Sequence, residues 1–96
     1  MEKYNVTDQE REKVLSTYFK EGLEGPLSEF PSKEKRKFIV IQHLIKRFDP
    51  KEQYTEKEVN EVIKAVFHDF VTIRRYFIEY KFMSRSRDCS KYWLSN

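Results

Sequence analysis

The sequence is poor in the residues that break or crosslink a chain. Two glycines and three prolines in 96 residues leave few tight turns, which argues against a turn-rich β fold and for helices. A single cysteine, Cys89, excludes an internal disulfide and sets the expectation of a reducing, cytoplasmic compartment. The longest unbroken apolar run, Phe38–Ile41, is far too short to cross a bilayer, so no membrane partner is expected. The opening "MEKYNVTDQE" is polar and lacks the apolar stretch of a signal peptide. No glycine-rich phosphate loop is present, and His43 and His68 belong to no cluster with metal-ligand spacing.

What the chain does have is aromatic and charged. Eight Phe, six Tyr and one Trp stand in a composition that is 39% hydrophobic and 36% charged, as expected of one globular domain near the lower size limit for a single core. The net charge of +3 hides a division. Residues 1–31 carry four basic and seven acidic side chains, residues 32–96 fifteen basic and nine acidic. A basic body behind an acidic leader suits a polyanionic partner, though the excess is modest.

Four helices and a hairpin are predicted. Thr7 and Glu10 form a T-x-x-E capping box, after which Val14, Leu15, Tyr18 and Phe19 recur on one face until Gly22. "LEGPLSEFP" is a connection. Ser32 is a candidate cap for a second helix, in which Phe38, Ile41, Leu44, Ile45 and Phe48 keep helical spacing until Asp49-Pro50. Its apolar residues cover more than one face, so it belongs in the middle of the fold. Thr55 and Glu58 form a second capping box, with Tyr54 and Val59 spaced for a hydrophobic staple, opening a third helix striped by Val59, Val62, Ile63, Val66 and Phe67. Asp69 caps a fourth, with Phe70, Ile73, Phe77 and Tyr80 facing inward. Beyond it "KFMSR", "SRDCS" and "KYWL" read as two short strands around a tight loop, and Gln53-Tyr54 adds a third strand.

Helix, short strand, helix, three-residue turn, helix, hairpin is the order of a winged helix-turn-helix. The expected fold is mainly α with a small antiparallel β-sheet. Residues 1–31 form an extra N-terminal helix and connection, and residues 32–96 the winged body, in one compact domain overall. The stripe on the first helix has two possible uses. It packs back onto the central helix, or it pairs between chains in a homodimer.

The stretches "FPSKEKRK", "YTEKEVNEVI", "HDFVTIRRYFIEYKFMSR" and the terminal "YW" resemble the bacterial domain-of-unknown-function family 2087. The resemblance runs over roughly residues 18–93. It implies a small winged-helix-like domain, found alone or beside regulator-type DNA-binding domains, and no particular activity. A glycine is expected near Cys89 at the wing tip, and this chain lacks it.

Adjacent helical residues point about 100° apart, so Arg74 and Arg75 have different roles. With Phe70, Ile73, Phe77 and Tyr80 inward, Arg75 points outward beside His68, Thr72 and Glu79, where a guanidinium can bond a guanine edge. Arg74 falls at the edge of the core, placed to pair with an acid or reach a phosphate. Arg85, Arg87 and Lys91 around the wing tip are the expected phosphate contacts. The competing reading is solvation, since Glu79 one turn after Arg75 permits an i,i+4 ion pair. Lys33, Lys35, Arg36 and Lys37 crowd a helix start, an end that disfavours cations. That hints at an anion nearby, although an exposed polar face is the simpler account.

No catalytic residue, metal or cofactor is expected. His68, Asp69 and Cys89 could be drawn as a thiol triad, but a loop cysteine without a helix N-terminus to activate it is a poor nucleophile. The function expected is therefore that of a small winged-helix protein binding double-stranded DNA and regulating transcription. The alternative is the same fold serving as a protein-interaction module, alone or fused to a regulator, through the acidic "TEKEVNE" helix.

Overall fold

The computed structural model describes residues 4–95. Residues 1–3 of the N-terminal segment and residue 96 of the body lie outside it. Helix α1 runs over Asp8–Tyr18, α2 over Glu34–Leu44 with a 3₁₀ turn at Ile45–Arg47, α3 over Glu56–Lys64 and α4 over Phe70–Glu79. Strands β1 (Gln53–Tyr54), β2 (Met83–Arg85) and β3 (Tyr92–Leu94) make an antiparallel sheet in the order β1-β3-β2. Gln53 and Ser84 both face Trp93 in the register. The architecture is thus mainly helical with one small antiparallel sheet, in the winged-helix order.

The "FIVI" segment is helical, and its burial explains why. Phe38, Ile39, Val40 and Ile41 are each 0–1% exposed, so consecutive residues find apolar neighbours on every side of α2. Helix α1 covers one of those sides with Leu15, Tyr18 and Phe19. The Phe19 ring meets His43 edge-on at 5.0 Å, Glu10 pairs with Lys35 at 2.9 Å, and Arg11 bonds Gln42. Of the stripe that pairing between chains would need, Leu15, Tyr18 and Phe19 are buried in the core of the same chain, and Val14 is partly buried beside them.

Local signals were met unevenly. At α3 the capping box is complete: the Glu58 amide donates to Thr55 Oγ1 at 3.1 Å, and Glu58 Oε1 accepts from the Thr55 amide at 2.8 Å. At α1 only half of it forms. Thr7 accepts from the Glu10 amide at 3.1 Å, while the Glu10 carboxylate turns to Lys35. Ser32 does not cap α2. Lys33 takes the cap position in an extended conformation, without a side-chain hydrogen bond, and its carbonyl accepts from the Lys37 amide. The link from α3 to α4, residues 65–69, is longer than the three-residue turn expected; at its start the Val66 amide tightens to an i→i−3 bond on the Ile63 carbonyl, which the Phe67 amide shares through a helical i→i−4 bond.

The end of α4 aims the wing. The Phe82 amide donates to the Phe77 carbonyl and the Lys81 amide to the Ile78 carbonyl, the paired bonds of a Schellman stop. Lys81 therefore sits at φ +63°, where a glycine is favoured. The wing tip turns through a second such residue, Cys89, also at φ +63°. The glycine expected near Cys89 is thus missing at a position whose backbone favours one.

Candidate nucleic-acid interface

Three packed elements present α4. Its inner face is Ile73 and Phe77, both buried, with Phe70 and Tyr80 packed beside them. Asp69 caps it, accepting from the Thr72 amide at 3.3 Å and the Thr72 hydroxyl at 2.8 Å. These bonds hold the Asp69 carboxyl below its ordinary range, helped by the charges of His68 and Arg75. The hydroxyl proton of Thr72 is consequently committed to the cap.

Arg74 belongs to a seam between α3, α4 and β3. Its guanidinium donates to Asn60 Oδ1 and lies 3.6 Å from Glu56. Glu56 also accepts from the Tyr92 hydroxyl at 3.1 Å. Burial, and then the Glu56 carboxylate, push the Tyr92 phenol up to about 12, so it stays a donor. One carboxylate near the start of α3 ties α4 to the wing.

Arg75 has the opposite surroundings. It is exposed, and among the described residues it makes no hydrogen bond or ion pair; the i,i+4 pair with Glu79 does not form. Arg75 lines a groove of about 350 Å³ with Arg74, Arg85, Glu56, Glu79, Cys89 and Val71. The groove lies between the outer face of α4 and the wing, so three of the predicted arginines share one surface. Arg85 bends back over the tip, donating to Cys89 Sγ at 3.1 Å.

The remaining predicted residues lie elsewhere. Arg87 lines the neighbouring depression, about 1170 Å³, with Lys81 and Arg85. Lys91 is exposed beside the tip, and His68 is exposed with its ring 4.4 Å from that of Phe67. The tip itself is built on an acid. Asp88 accepts from the Ser86 hydroxyl at 2.8 Å and from the amide and hydroxyl of Ser90 at 3.0 and 2.7 Å. Those bonds, led by the Ser90 hydroxyl, lower its carboxyl to about 2.

The cations at the start of α2 are mostly engaged. Lys35 pairs with Glu10, Arg36 donates to the Tyr18 hydroxyl at 3.3 Å, and Lys37 reaches Glu34 and the Tyr76 hydroxyl, each at 3.3 Å. These pairings favour the solvated-face account there. Among the described residues no three His, Cys, Asp or Glu side chains gather as a metal site, and no helix is long and apolar enough to cross a membrane.

Sequence reasoning missed Glu56, Asn60 and Val71. The spacing of Val71 four residues before Arg75 was a readable signal for the last. The pairing of Arg74 with α3 had none, because its partners lie 14 and 18 positions away.

The model of the family described as "Uncharacterized protein conserved in bacteria (DUF2087)" matches residues 26–94. No curated protein and no solved structure matches the chain.

Proposed function

We propose that this chain, which belongs to the DUF2087 family, binds double-stranded DNA and acts as a small cytoplasmic transcriptional regulator. The observation that carries this reading is the exposed Arg75 on the outer face of α4, without a hydrogen bond or ion pair among the described residues, in one groove with Arg85 of the wing. A guanidinium without a hydrogen-bond partner keeps its donors for a guanine edge. The exposed Arg87 and Lys91 extend positive charge along the wing, where phosphate contacts position a duplex. Helix α3 braces, α4 reads and the hairpin clamps.

A second reading rests on Glu56 and Glu79, which line the same groove and repel phosphate. They favour a surface for a protein partner. Titrating labelled duplex with the full chain at low and moderate salt separates the two. DNA binding predicts affinity that falls as salt rises, with Arg87→Ala and Lys91→Ala each weakening binding evenly across sequences. No binding at low salt with micromolar protein would end the DNA reading in favour of the interaction module.

A further inference from the structure

We infer that Val71 is a base-reading residue that contacts a thymine methyl group beside the base met by Arg75; this rests on the DNA-binding reading above. Val71 is 40% exposed, one of two large hydrophobic side chains so exposed among the described residues. The other, Leu23, sits in a turn whose carbonyl groups are gripped by His43 and Arg47. Val71 leaves 40% of its surface in water and forfeits that part of its burial energy, and β-branching makes it a poorer helix former than the polar residues usual on a solvated face.

Its position is specific. Val71 stands in the first turn of α4, the end of a recognition helix that meets base edges. It lies one turn before Arg75 and lines the same groove. The rise between them is about 6 Å, against about 3.4 Å per base step. A partner touching both must offer an anionic or acceptor edge and an apolar group within about two base steps. The major groove has one such apolar group, the C5-methyl of thymine. The ligand class is therefore a duplex with an A·T pair within two steps of the G·C pair read by Arg75.

The test starts from the duplex selected by the full chain out of a randomised pool. Each thymine near its guanines is replaced singly by deoxyuridine, which removes only the methyl, and affinities are measured for wild type, Val71→Ala and Arg75→Ala. One replacement should weaken the wild type about fourfold, the worth of one buried methyl-sized group. It should leave Val71→Ala unchanged, while Arg75→Ala keeps the sensitivity. Circular dichroism checks that Val71→Ala folds, as an exposed and helix-favouring substitution should. Indifference of the wild type to every replacement, or an equal loss in Val71→Ala, overturns this inference while DNA binding stands. Failure of the wild type to select any duplex overturns the DNA reading and this inference with it.

Discussion

The seam between α3, α4 and β3 holds its arginine with two partners, whereas the outer face of α4, one residue further along the chain, leaves its arginine with none among the described residues. Both residues are charged and both line the groove. Only the seam residue is partly buried, with 19% of its side chain exposed. A partly desolvated guanidinium must be satisfied by protein, and Asn60 and Glu56 do that. An exposed one is satisfied by water, which a ligand can displace. The difference separates a residue that holds the fold from one available for binding, in a stretch where the sequence shows only two identical letters.

The sharpest break of that comparison is a paired substitution. Arg75→Ala should reduce discrimination among duplex sequences by about 1–3 kcal/mol, the worth of a bidentate base contact. Its folding stability should move by less than about 0.5 kcal/mol. Arg74→Ala should do the reverse, losing about 1–2 kcal/mol of stability as Asn60 and Glu56 lose their donor. Urea denaturation beside duplex titration measures both. Equal stability losses for the two variants would erase the distinction drawn here.

A smaller effect tests how far the wing depends on its strained corners. Lys81→Gly at the end of α4 and Cys89→Gly at the tip should each raise stability by about 1 kcal/mol, by relieving a left-handed backbone. Thermal unfolding reads the gain. Cys89→Gly also removes the sulfur that accepts from Arg85, so its gain should be the smaller of the two.

The smallest effect expected is local and set by acid. The Asp88 carboxyl is lowered from an ordinary 3.8 to about 2, so its stabilisation of the tip is present above about pH 4 and fades as pH falls toward 2. The Ser90 amide, which donates to it, should shift in NMR spectra with a midpoint near that lower value. A midpoint near 3.8 would show that the Ser86 and Ser90 bonds do not hold the carboxylate.

Much of this architecture is written in short-range pattern. The α3 cap is readable because its partners are three residues apart and meet in any helix that begins there. The burial of α2 follows from apolar residues on all its sides, and the outward aim of Arg75 from helical geometry alone. Ser32 was misread because an N-cap preference is worth only about 1 kcal/mol, and the chain reaches α2 one residue later.

The elements, their order, the position of α2 in the centre and the two directions of Arg74 and Arg75 were determined by the sequence itself, through periodicity and local capping. Tertiary structure alone decided that Glu56 joins Arg74 to Tyr92, that α1 spends its stripe on α2, and that Arg85 and Glu56 join the outer face of α4 in one groove. These are meetings between residues far apart in the chain. Their energies exist only after the core has paired the elements that carry them, so no local pattern records them.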